Sequence, residues 1–174
     1  GEHGLPGVRL VAGAQVVETD DYGRYSVWSL TPFEATDLAV DPASLRDPRW
    51  LPAFDRAAAA VSPNGFRRID LPLLEGVEVE GRVRTRDAGA HHPTGAVPLR
   101  LLSESGGADH AARTFHDGEF YLLAVAPGRY RVEVEPRWLA ARGLRVAGEG
   151  GVEVPAGAER VQVTVDLVAV GPAR

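Results

Sequence analysis

Arg129-Tyr130-Arg131-Val132-Glu133-Val134-Glu135 alternates apolar or aromatic with charged side chains without a break. A strand turns successive side chains to opposite faces, so Tyr130, Val132 and Val134 belong in a core and the arginines and glutamates in water. The same period of two returns in Val77, Val79 and Val83 against Glu78, Glu80, Arg82 and Arg84. It returns again in Val161, Val163, Val165 and Leu167 against Gln162, Thr164 and Asp166, and nearer the start in Leu38 and Val40 against Asp37 and Asp41. One-sided alternation belongs to antiparallel sheets packed face to face, which predicts an all-β chain built of sandwiches.

The chain also carries an internal repeat. Asp21-Tyr22-Gly23-Arg24-Tyr25-Ser26-Val27 lines up with His116-Asp117-Gly118-Glu119-Phe120-Tyr121-Leu122 at an offset of 95. Leu30-Thr31-Pro32 matches Val125-Ala126-Pro127, Val40-Asp41-Pro42 matches Val134-Glu135-Pro136, and Ile69-Asp70-Leu71 matches Val165-Asp166-Leu167 at nearly the same offset. A near-constant offset divides the chain into two tandem sandwiches, residues 1–75 and 76–174. Gly23 and Gly118 sit between strand-like runs, where a tight turn needs positive φ. The second copy opens with a strand over residues 77–83, whereas Val8-Arg9-Leu10-Val11, the match of Val97-Pro98-Leu99-Arg100-Leu101, lies almost at the start. The first copy is therefore expected to lack its first strand. Two short helices are expected, one around Ala57-Ala58-Ala59-Ala60 and one over residues 136–142, with Pro136 at its first position and Gly143 as its stop.

Composition narrows the function classes. Of 174 residues, 44% are hydrophobic and 25% charged, which is ordinary for a globular chain. The net charge of −5 opposes nucleic acid as a partner, because phosphate neutralisation needs a basic face. All 19 basic residues are arginine, so a Schiff base, a P-loop lysine and a lysine general base are excluded. With no cysteine there is no disulfide, thiolate zinc site or cysteine nucleophile. With no methionine the sequence is expected to be part of a longer product, any signal peptide lying upstream.

Gly1-Glu2-His3-Gly4-Leu5-Pro6-Gly7-Val8-Arg9-Leu10, followed by Thr19-Asp20-Asp21-Tyr22-Gly23-Arg24-Tyr25, resembles the B-repeat domains of bacterial surface adhesins. Gly81-Arg82-Val83, Phe115-His116-Asp117-Gly118-Glu119-Phe120 and Val125-Ala126-Pro127-Gly128-Arg129-Tyr130 are similar to the carboxypeptidase regulatory-like domain. Both families are transthyretin-like or immunoglobulin-like sandwiches, usually tandem modules of secreted or cell-surface bacterial proteins. The resemblance implies an extracellular or cell-envelope location, associated with the outer membrane or periplasm. Two family features are missing. The D-x-N-x-D-G calcium loop of adhesin repeats does not occur, and a Lys–Asn isopeptide bond has no lysine to form from, Asn64 being the sole asparagine.

Candidate chemistry is sparse. His116-x-x-Glu119 has the spacing of a zinc peptidase pair, but its counterpart Asp21-Tyr22-Gly23-Arg24 has no matching ligand set, so a surface turn is expected. His91, His92 and His110 read as loop histidines, since adjacent residues of an extended chain face opposite ways. Ser103-Glu104-Ser105-Gly106-Gly107 and Gly148-Glu149-Gly150-Gly151 read as loops, with no nucleophile elbow and no phosphate cradle. Trp50 and Trp138 each lie beside a proline near an expected sandwich end. A tryptophan there either plugs its own core or stacks on a sugar ring. The expected function is a non-catalytic structural or adhesive spacer, with neither metal nor cofactor. Its partners would be other domains of its parent protein or another envelope protein, and residues 1–75 would self-associate edge to edge. A carbohydrate-binding module using Trp50 and Trp138, with a glycan as partner, is the alternative.

Overall fold

The computed structural model describes residues 3–87, 89–148 and 150–170. Gly1 and Glu2 of the adhesin-like stretch and Glu149 of the glycine-rich loop lie outside the described residues. Strand takes 48% of the residues and helix 5%, so the chain is all-β as the alternation requires. It divides into two compact units, Gly1–Leu74 and Glu75–Arg174.

The first unit contains β1 (Arg9–Ala12), β2 (Gln15–Glu18), β3 (Ala35–Val40), β4 (Trp50–Pro52) and β5 (Ala57–Ala60), with β6 (Leu73–Glu75) at its boundary. One antiparallel sheet runs β2-β1-β3-β5, and β4 pairs with β6. A 3-10 turn, Pro42–Ser44, follows β3, capped by the Asp41 carboxylate accepting from Ala43 N–H. The core is two small clusters, Val8, Leu10 and Val40 in one, Ala12, Leu38 and Ala59 in the other. Val27, Ile69 and Leu71 pack against them but remain half-buried.

The alanine run is a strand, against the helix its composition suggests. Alanine's helix propensity is worth well under 1 kcal/mol per residue, and an isolated short helix is marginal in water. Pairing with β3 instead gives Ala57–Ala60 a ladder, in register Thr36↔Ala59, and buries Ala59 between exposed Ala58 and Ala60.

The second unit contains β7 (Val77–Asp87), β8 (Ala90–Pro93), β9 (Pro98–Ser103), β10 (His110–Arg113), β11 (Glu119–Val125), β12 (Gly128–Val134), α1 (Pro136–Ala140), β13 (Leu144–Val146), β14 (Gly151–Val154) and β15 (Arg160–Ala169). Its sheets run β10-β9-β12-β14 and β11-β7-β15-β13, with β8 hung on β7. Among the described residues its strand pairings are antiparallel except that of β7 with β15, which run parallel over nine positions. Val79, Leu99, Tyr130, Val132, Val163 and Val165, the expected interior, are all buried in one cluster around fully buried Phe120. Pro136 opens α1, and Gly143, at φ +62°, follows its end as expected.

The units share more than a pattern. The order β2-β1-β3-β5 matches β10-β9-β12-β14 strand for strand. The Thr19 hydroxyl accepts from Val8 N–H at 2.9 Å and donates to the Leu5 carbonyl at 2.6 Å, as the Thr114 hydroxyl accepts from Val97 N–H and donates to the Thr94 carbonyl, both at 2.9 Å. In the paired turns, Asp20 N–H donates to the Arg24 carbonyl and Gly23 N–H to the Asp20 carbonyl, as Phe115 N–H donates to Glu119 and Gly118 N–H to Phe115. Gly23 and Gly118 have φ of +72° and +80° there.

The second layer differs. In unit 2, β7 runs between β11 and β15 and supplies both with a ladder. Unit 1 has no counterpart of β7 among the described residues. Residues 25–27 and 69–73, the counterparts of β11 and β15, still alternate half-buried and exposed side chains. Yet among the described residues no backbone N–H of residues 25–29 or 67–71 donates to another backbone group.

Candidate functional site

Trp50 opens β4, half-buried, its N–H donating to the Asp47 carbonyl at 3.1 Å. Trp138 lies in the short α1 and packs against the unit 2 core. The Arg142 guanidinium, one turn on, stands 4.2 Å from the centre of its ring, a distance suited to cation–π attraction. Trp50 belongs to the first unit and Trp138 to the second.

His91 and His92 fall within β8 rather than a loop, because the turn at Gly89, at φ +88°, folds the chain back onto the far end of β7. His91 Nδ1 lies 3.7 Å from the Asp166 carboxylate. His110 begins β10 with its ring 6.0 Å from that of Tyr130, and its Nε2 is buried without a hydrogen-bond partner among the described residues. Burial holds its pKa below the ordinary 6.5, with the Asp109 charge acting in the opposite direction. His116 and Asp117 sit in the turn, where Asp117 accepts from Glu119 N–H at 3.0 Å. Glu119 accepts from Arg82 and, at 3.1 Å, from the Tyr121 hydroxyl, so its carboxylate is engaged in cross-strand pairing. Among the described residues, no three histidine or carboxylate side chains converge on a point. Ser103 Oγ accepts from Gly107 N–H at 3.0 Å, closing its own loop.

The polar groups of unit 2 concentrate instead on one seam, the outward face of β7 and β15. Arg160 of β15 reaches Glu78 at 2.9 Å and Glu80 at 3.0 Å, and Arg84 of β7 reaches Asp166 at 2.9 Å. These partners raise the Arg160 pKa, the hydrogen bond to Glu78 contributing most. The register makes the pairs possible: Arg160↔Glu78 and Asp166↔Arg84 are direct neighbours of the parallel ladder. Sequence alternation identified these residues as outward-facing, but not that β7 and β15, 82 positions apart, share an edge. Apolar surface concentrates in unit 1, where Tyr22, Trp28, Phe33 and Phe66 are 71–90% exposed.

No protein-family profile matches the chain, and no curated protein matches it. Among solved structures it is similar to GBS52, the minor pilin of Streptococcus agalactiae, at 12% identity and a TM-score of 0.50, over 99% of this chain and 87% of that one. The Bacillus anthracis TIE protein aligns at 16% identity and a TM-score of 0.39, over 96% of this chain and 32% of that one. The GBS52 match supports the β-sandwich fold.

Proposed function

We propose that the chain is a non-catalytic spacer of a bacterial surface or secreted protein, whose second unit carries mechanical tension between its neighbours. The parallel pairing of β7 with β15 carries this reading. Tension entering unit 2 before Val77 and leaving after Ala169 pulls parallel strands in opposite directions along their length. Nine paired positions then resist together in shear, rather than opening one hydrogen bond at a time. The Arg160 and Arg84 ion pairs bridge the same two strands. The likeness to a minor pilin and the resemblance to adhesin repeats agree with a surface role in which the module associates with other domains or envelope proteins.

Pulling the 174-residue chain by its termini tests this. Forced unfolding follows the unfolding barrier along the pulled direction. Two steps are expected, the high-force one releasing the contour length of unit 2 and occurring at several times the force of the other. If unit 2 yields at the same force as unit 1, the tension-bearing reading is wrong.

A further inference from the structure

We infer that unit 2 binds an extended segment of another polypeptide along the free edge of β15, antiparallel to it, with one large apolar side chain seated between the two sheets. The ladder pattern locates the edge. Glu78 N–H donates to the Glu159 carbonyl at 3.1 Å, so the odd-numbered residues of β15 turn their backbone groups toward β7. The Asp166 carbonyl accepts from Ala147 N–H at 2.8 Å, so the even-numbered ones turn theirs to the opposite edge. On that edge β13 is three residues long and pairs with residues 167–169. Gly148 and Gly150, at φ +90° and +62°, then turn the chain away toward β14, where the Gly150 carbonyl accepts from Val132 N–H at 2.8 Å. Gln162 and Thr164 are left with N–H and carbonyl both unpaired among the described residues. Two donors and two acceptors, set about 6.8 Å apart along an edge, have the backbone of another strand as their complement.

The space behind this edge sets the side chains. A cavity of about 190 Å³ opens there, lined by Val132 and Val152 of one sheet and by Val146, Val163 and Val165 of the other. A cavity of about 150 Å³ takes a benzene molecule, so this one accepts a phenylalanine or leucine side chain. Residues directly opposite each other in a ladder share a face, so the residue of the incoming strand beside Val163 points into the cavity. Those beside Gln162 and Thr164 face water, as these two do. The occupant therefore carries one bulky apolar anchor between two polar residues. Its antiparallel direction continues the ladder that β13 begins on β15, and is the more stable pairing. A second copy of the chain is a poor occupant, because its own β15 would offer Val163 and Val165, which are already buried in their own core.

The test uses the whole chain and the end-blocked peptide Val-Thr-Phe-Thr-Val. In the free chain the amides of Gln162 and Thr164 should exchange fast and those of Val163 and Val165 slowly; bound peptide should slow the first pair. Glycine in place of the peptide's phenylalanine costs at least about tenfold in affinity, because the anchor's burial is lost. Methylating both threonine nitrogens, which donate to β15, abolishes binding. Methylating the phenylalanine nitrogen, which faces away from β15, changes affinity less than about twofold. In the protein, Thr164→Pro removes one edge donor without touching the β7 ladder, so the chain folds and binds about three- to tenfold more weakly. If that variant unfolds unit 2, the methylated peptides on the parent chain carry the test. The proposal fails if millimolar peptide leaves both amides unprotected, if the glycine peptide binds equally well, or if methylation at phenylalanine is as damaging as at the threonines. Protection confined to β14, or already present in the free chain through self-association, also overturns it.

Discussion

Replacing Gly81 by alanine should destabilise unit 2 severely for so small a change. Gly81 sits mid-strand in β7, between Phe120 of β11 and Val163 of β15. The new Cβ would lie 2.0 Å from Cζ and 2.1 Å from Cε1 of Phe120, a ring with no exposed surface. The ring cannot swing aside, because the core around it is closed on every side. Overpacking of a fixed core costs about 1–3 kcal/mol, and a contact this short belongs at the upper end. Alanine also restricts the unfolded chain, which offsets about 0.4–1 kcal/mol. The net expectation is a loss of about 2–3 kcal/mol, or about 10–20 °C in the melting of a unit this size. Urea unfolding followed at amide signals of β7 and β15 measures it. Adding Phe120→Leu should recover part of the loss, with a coupling energy of about 1 kcal/mol or more. Gly81→Ala within about 0.5 kcal/mol of the parent would refute the packing argument.

Three further outcomes follow from the site geometry. A chelator should leave the melting temperature unchanged, since no ligand set converges among the described residues; a drop of several degrees would reveal one. His110, with its pKa depressed by burial, favours the folded state when neutral, so that contribution is complete above the ordinary pKa of 6.5 and fades as pH falls below it. Replacing His110 by phenylalanine should flatten this part of the stability profile, and an unchanged slope between pH 7 and pH 5 would contradict the assignment. Arg160→Leu should lower the urea midpoint of unit 2 slightly in low salt and not at all in high salt, whereas a large salt-independent loss would mean that Arg160 acts through packing.

Much of unit 2 is legible in the sequence because its strands carry a clean period of two. Tyr130, Val132 and Val134 face inward, as their spacing requires, and α1 starts at Pro136 but ends at Ala140, ahead of Gly143. The pairing of β7 with β15 is not legible, because alternation reports which face a residue takes but not which distant strand it joins. Ala57–Ala60 misleads for a related reason: its local preference is weak and the ladder offered by β3 decides. Tyr25, Val27, Ile69 and Leu71 keep the alternation of strands, yet among the described residues the N–H groups of their segments join no backbone ladder. Trp138 lies against its own core, and the Arg142 guanidinium over its ring comes from four residues further on, one helical turn away.

Both units share one plan, and among the described residues only the second shows a middle strand in its second layer. Amide hydrogen exchange on the intact chain tests this most directly. Slow exchange is expected at Val79, Gly81, Val163 and Val165, intermediate exchange along β1 and β3, and near-unprotected exchange at residues 25–29 and 67–71. Equal protection of those last segments and of β11 and β15 would contradict it.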